Sequence, residues 1–114
     1  MDRKKELKEM YKQMKPDMGI FIVQSKINNK YYLETTQNLK GKINSTKFQL
    51  EAGSFRNQEL QKDWNKYKAE NFEIKVLENL KYDKDESKND YSEELEIMKT
   101  IWVDKLTKEN KQPY

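Results

Sequence analysis

Hydrophobic positions in this chain change period several times, and each change marks an element. Over residues 3–14 the apolar side chains Leu7, Met10, Tyr11 and Met14 fall at i, i+3, i+4 and i+7, the spacing of one helical face. Pro16 closes that segment, because proline removes a backbone donor and pushes the residue before it out of helical geometry. Residues 19–24 then run almost unbroken through Ile20, Phe21, Ile22 and Val23, with the length and β-branching of a buried strand. Asn28 and Asn29 supply a turn, since asparagine tolerates positive φ at low cost, and residues 31–34 complete a hairpin.

Helical spacing returns with Leu39, Ile43 and Leu50, and Thr35 or Thr36 is placed to cap that helix. Gly41 within it costs about 1 kcal/mol relative to alanine, so this helix needs tertiary support. Ala52-Gly53-Ser54 ends it, and Asn57 caps a second helix that aligns Leu60, Trp64 and Tyr67. Residues 71–77 alternate Phe72, Ile74 and Val76 against Glu73 and Lys75, the period of a half-buried strand. A charged loop follows over residues 81–91. Ser92 opens a last helix to about Leu106, packed through Leu95, Met98, Ile101 or Trp102, and Leu106. Its acidic first turn, with Lys105 and Lys108 near the end, suits the helix dipole. The order helix, strand, strand, helix, helix, strand, helix predicts an α+β fold, a short three-stranded antiparallel or mixed sheet flanked by helices.

Composition narrows the class. At 114 residues the chain is one domain with a modest core, and 34% apolar against 38% charged residues confines that core to a few elements. Thirteen aromatic residues compensate, because each buries a large area. No stretch approaches the roughly 20 apolar residues that span a bilayer. The first residues lack the apolar run of a secretory signal, so the expected location is cytoplasmic. The absence of cysteine and histidine excludes disulfides, thiolate zinc sites and histidine bases, and leaves Tyr, Lys, Arg, carboxylates and hydroxyls for any chemistry.

The net charge of +3 conceals an asymmetry: residues 1–82 carry 17 basic against 11 acidic side chains, while residues 83–96 carry seven acids against two lysines. Nearly all the cations are lysines, with only Arg3 and Arg56 as arginines. Such surfaces attract phosphate without the planar fork that recognises it bidentately, and a well-solvated lysine-rich exterior is their commonest meaning. The acidic run reads as a solvated loop, since Asp83-Lys84-Asp85-Glu86 provides only part of a calcium-ligand spacing. The methionines Met10, Met14, Met18 and Met98 read as core, and Trp64 and Trp102 as helix-to-sheet anchors.

Gly19-Ile20-Phe21 and Tyr32-Leu33-Glu34, followed by Thr36-Gln37-Asn38-Leu39, resemble the paired motifs and helix start of the GIY-YIG nuclease domain. Leu60-Gln61, Trp64, Tyr67 and Phe72 are similar to its middle part, and Trp102-Val103-Asp104-Lys105-Leu106 to the end of its closing helix. The resemblance covers roughly residues 18–106. It divides the chain into an added N-terminal helix over 1–15, the domain over 18–107 and a tail over 108–114. It implies a first-motif tyrosine that takes part in proton transfer from water, a helix arginine on the phosphate and a closing-helix glutamate on a divalent cation.

At those positions this chain has Phe21, Lys42 and Lys99. Phe21 has no hydroxyl, Lys42 has charge without the guanidinium fork, and Lys99 would repel Mg²⁺. Each lost stabiliser typically costs on the order of 10²–10³ in rate. Glu34 sets a carboxylate beside the expected phosphate, where it opposes substrate or pairs with Lys42 or Lys99. Two substitutes exist: Tyr31 or Tyr32 as acid or base, and Glu96 as metal ligand, one helical turn before Lys99.

The resulting expectation is a catalytically inactive GIY-YIG-like domain that binds the phosphate backbone of DNA or RNA weakly through Tyr32, Lys40, Lys42, Arg56 and Lys99. It needs no cofactor, with Mg²⁺ required only by the alternative of an active metal-dependent endonuclease. A protein–protein interaction module is the other alternative. No membrane partner is expected, the oligomeric state stays open, and no helix-turn-helix suited to major-groove reading is present.

Overall fold

The structure, a computed structural model, describes residues 15–114. The N-terminal helix expected over residues 3–14 lies outside them. Two strands, β1 (Met18–Ser25) and β2 (Lys30–Thr36), form the expected hairpin. Two helices follow, α1 (Leu39–Ala52) and α2 (Gln58–Tyr67), then a short 3₁₀ turn, β3 (Phe72–Leu80), α3 (Ser92–Lys108) and β4 (Gln112–Pro113). The sheet order is β3-β1-β2-β4, antiparallel except for the β2–β4 pair. The sheet thus has four strands where three were expected, because residues 112–113 of the expected tail run beside the start of β2.

Central position explains the unbroken apolar run of β1, since both faces are covered. Phe21 and Val23 enter one cluster with Leu39 and Leu50 of α1, Leu60 and Trp64 of α2, and Phe72. Ile20 and Ile22 enter the opposite cluster with Tyr31, Leu33 and, from α3, Met98 and Leu106. The domain is therefore three layers, two helices, a sheet and one helix. Gly19 is glycine for a steric reason. A Cβ there would lie 2.1 Å from the carbonyl oxygen of Glu78 on the neighbouring strand.

Three local expectations change. Thr36 pairs with Gly19 in the ladder and so cannot cap α1; Asn38 does it, its side chain accepting from the Gly41 amide at 3.1 Å. β3 runs to Leu80 rather than ending at residue 77, past an irregularity opposite Ile20 and Phe21, whose partners are Glu78 and Val76. Leu77 is the extra residue; Leu77 and Leu80 both pack on the α3 side, while Val76, on the opposite face with Phe21, is exposed. On α3, Trp102 rather than Ile101 packs inwards, with its indole donating to Glu78 at 2.9 Å.

The charged loop before α3 is anchored despite its composition. Tyr91 is buried against Met18 and Leu95, and its hydroxyl accepts from the Asp83 amide at 2.9 Å. Gln37 reaches across to donate to the Asn89 carbonyl at 2.9 Å and accept from the Tyr91 amide at 3.2 Å. These contacts fix where α3 begins, and hence which of its residues reach the sheet edge.

Candidate functional site

β4 covers only the first residues of β2, pairing Lys30 with Gln112 and Tyr31 with Pro113. Beyond them the β2 edge borders a 530 Å³ cleft between the loop before α2 and helix α3, reached by Tyr32, Glu34, Thr35, Arg56, Asn57 and Lys99. Alternation along β2 turns Tyr31 and Leu33 towards α3 and leaves Tyr32 and Glu34 on the α1–α2 side.

Glu34 is the hub of this cleft. Its side chain is only 11% exposed, and Oε1 lies 2.7 Å from Arg56 Nη2 and 3.4 Å from Lys42 Nζ. Its other oxygen, Oε2, accepts from the Tyr32 hydroxyl at 3.2 Å, and that hydroxyl accepts from Arg56 Nη2 at 2.8 Å. Burial lifts the Tyr32 phenol above its ordinary pKa, outweighing the stabilisation of phenolate by Arg56. Tyr32 is accordingly a neutral hydrogen-bonding group at physiological pH, a weak base for activating water.

Arg56 is held by its loop. Gly53 ends α1 in the left-handed conformation, and Asn57 caps α2 by accepting from the Leu60 amide at 3.1 Å. Between them, Gln61 braces the turn: it accepts from the Phe55 amide at 2.9 Å and donates to the Leu50 carbonyl at 3.0 Å. Phe55, buried beside Arg56, meets the Tyr32 ring edge-on at 5.2 Å between centroids. The loop therefore has little freedom, while the Arg56 side chain, 70% exposed, reaches out over the cleft.

Tyr32, Arg56 and Lys99 thus line one opening, and Lys42 is joined to it through its ion pair with Glu34. Lys40 does not join them; it borders a separate groove with Pro16, Leu39, Ile43 and Val76. Phe21 is fully buried in the core, so it is a packing residue rather than a site residue. Glu96 is exposed on α3 and is not among the residues that line the cleft.

The contributions of Gln61, Pro113 and Tyr114 were not apparent from sequence motifs, and Asn57 was legible only as the cap of α2. Gln61 carried a usable signal, a polar residue between Leu60 and Trp64 on the buried face of α2.

Mg²⁺ keeps several of its waters and is held by as few as one or two free carboxylates. Among the described residues no group of three or more carboxylate, histidine or cysteine side chains comes together. The one carboxylate at the cleft, Glu34, is already paired with two cationic side chains, and Lys99 stands on the same opening. This donor set does not fit Mg²⁺.

The architecture has counterparts among solved structures. The catalytic domain of the homing endonuclease I-TevI matches with a TM-score of 0.64 at 22% identity, covering 83% of this chain and 94% of that one. A mutant form of the catalytic domain of the intron endonuclease I-TevI matches with a TM-score of 0.63, also at 22% identity, covering 84% and 90%. No family profile and no curated protein sequence matches the chain. Among the described residues, no helix is long and apolar enough to cross a membrane. Over most of its length the chain has a GIY-YIG nuclease-like fold.

Proposed function

We propose that this chain is a non-cleaving GIY-YIG-like domain whose cleft binds the phosphate backbone of nucleic acid, weakly and without reading base sequence. The observation that carries this is the convergence of Arg56 and Lys99, from two separate elements, on the opening at the β2 edge, with Lys42 of a third element paired to Glu34. Three cations against the single Glu34 carboxylate leave the opening a net anion attractor. The exposed Arg56 guanidinium can turn from Glu34 to a phosphate oxygen, retaining the charge-assisted geometry that suits it. Lysine and arginine contacts of this kind are insensitive to sequence and weaken steeply with salt.

The non-cleaving part rests on the groups at the cleft. Phe21 is sealed in the core, Tyr32 is a neutral phenol, and Lys99 stands where the sequence resemblance implies a metal-holding glutamate. The alternative of a metal-dependent endonuclease would require Glu96, one turn earlier on α3. A protein-docking role has its own support in Ile97 and Ile101, which stand 56% and 49% exposed one turn apart on α3.

Charge reversal separates these readings. The double variant Lys42→Glu with Lys99→Glu should abolish gel retention of DNA in EDTA and leave any α3-mediated protein contact intact. Unchanged DNA retention in that variant would move the binding surface elsewhere.

A further inference from the structure

A second, more apolar space opens off the basic cleft. This recess of 190 Å³ shares Tyr32, Leu33, Asn57 and Lys99 with the cleft, and its remaining wall is Tyr31, Val103, Pro113 and Tyr114. It is built by the last residues of the described chain. The Tyr114 amide donates to the Tyr31 carbonyl at 2.8 Å, and the Gln112 amide to the Asn29 carbonyl at 2.9 Å. The Tyr114 hydroxyl donates to Asp63 at 2.8 Å, so its ring is fixed at both ends. At about 30 Å³ per water, the recess has the volume of roughly six waters, the scale of one flat ring.

We infer that the recess takes the base of a single unstacked nucleotide whose phosphate lies in the neighbouring cleft. An aromatic and apolar wall next to cationic side chains matches the two parts of a nucleotide, since every base has a face to lay against an aromatic or aliphatic surface. Lys99 borders both spaces and sits where the sugar–phosphate joins the base. No side chain in the recess wall offers a paired donor and acceptor arranged for one base, apart from the Asn57 amide, whose oxygen is committed to the cap of α2. Selection is therefore for an unpaired strand over a duplex rather than for a sequence. A base-paired nucleotide reaches the recess only by leaving its stack, which favours single strands, ends and gaps.

This inference rests on the phosphate-binding reading of the cleft, and the experiment keeps the two apart. Fluorescence anisotropy at low salt in EDTA compares three probes of equal length: an oligothymidylate, its abasic counterpart with the same phosphates, and the duplex. The oligothymidylate should bind between about 5-fold and 150-fold more tightly than the abasic strand, the range expected for one stacked base. It should also bind more tightly than the duplex.

Val103 is partly exposed on α3, and Val103→Phe, which fills the recess, should remove the preference while leaving abasic binding unchanged. Equal binding of intact and abasic strands by the unmodified protein, or tighter binding of the duplex, overturns the base recess while leaving phosphate binding in place. Failure of all three probes to bind at low salt overturns both. The abasic comparison uses the unmodified chain, so it stands even if the Val103 variant is poorly folded.

Discussion

Glu34 Oε1 lies 2.7 Å from Arg56 Nη2, joining the edge of β2 to the loop before α2 across 22 residues of sequence. The contact has two consequences. It holds the guanidinium over the cleft, and it places a carboxylate where an incoming phosphate oxygen would otherwise sit. Under the proposed phosphate binding, Glu34 is an internal competitor for the anion.

Removing that competitor should strengthen binding. In Glu34→Gln the amide can still meet Arg56 and Tyr32, while the charge opposing phosphate is gone. Affinity for an oligonucleotide at low salt should rise several-fold. The slope of log K against log salt should steepen by about 0.7–0.9, the equivalent of one more neutralised phosphate contact. Titrations at several salt concentrations measure both quantities, and an affinity equal to or below that of the parent would remove Glu34 from this role.

Tyr31 offers a test of the core. Among the described residues its buried hydroxyl has no hydrogen-bond partner, within the cluster under α3. A buried unpaired donor costs about 1–3 kcal/mol, so Tyr31→Phe should stabilise the fold by about 1 kcal/mol. For a domain near this size that corresponds to roughly 4–8 °C in Tm. Thermal unfolding followed by circular dichroism reads the shift.

Gly19→Ala should act in the opposite direction. The added methyl would meet the Glu78 carbonyl oxygen at 2.1 Å, a backbone atom that moves only if β3 moves. Overpacking of this kind typically costs about 1–3 kcal/mol, measurable as a lowered urea midpoint. The glycine of the first motif is thus explained by strand packing, with no appeal to chemistry.

The chain's last residue supplies a pH dependence. Burial, reinforced by the hydrogen bond to Asp63, raises the Tyr114 phenol from 10.0 to about 12. The neutral form is favoured in the folded state, so its contribution is complete below pH 10. It is lost progressively as pH rises towards 12, where the unfolded chain ionises first. Stability should therefore fall over that window, and Tyr114→Phe should flatten the fall. Urea midpoints at pH 9, 10 and 11 supply the comparison.

Local chemistry made parts of this molecule legible in advance. The β1–β2 hairpin follows from β-branched residues around Asn28-Asn29, and the start of α2 from Asn57, both decided within a few residues. Thr36 misled because its competing role is non-local: pairing with Gly19 holds it in the ladder, and Asn38 is left to cap α1. Val76 keeps the face that alternation gives it, paired with Phe21, yet stands 44% exposed, because period alone does not say how far the covering helices reach.

The site was partly visible as a set of basic residues, but not which of them converge. Lys40 and Lys42 differ by two positions, about 200° around a helix of 3.6 residues per turn, so Lys40 borders the groove beside Pro16 while Lys42 reaches Glu34. The recess was invisible because β4 has two residues and no periodicity to detect.

The most direct test of the central claim is a paired assay on linear, nicked and branched DNA. It combines gel retention in EDTA across a salt series with cleavage in Mg²⁺ or Mn²⁺ on the same substrates. The expected result is retention that falls steeply with salt and no cleavage with either metal. Metal-dependent cleavage that disappears in Glu96→Ala, or no retention even at the lowest salt, would contradict it.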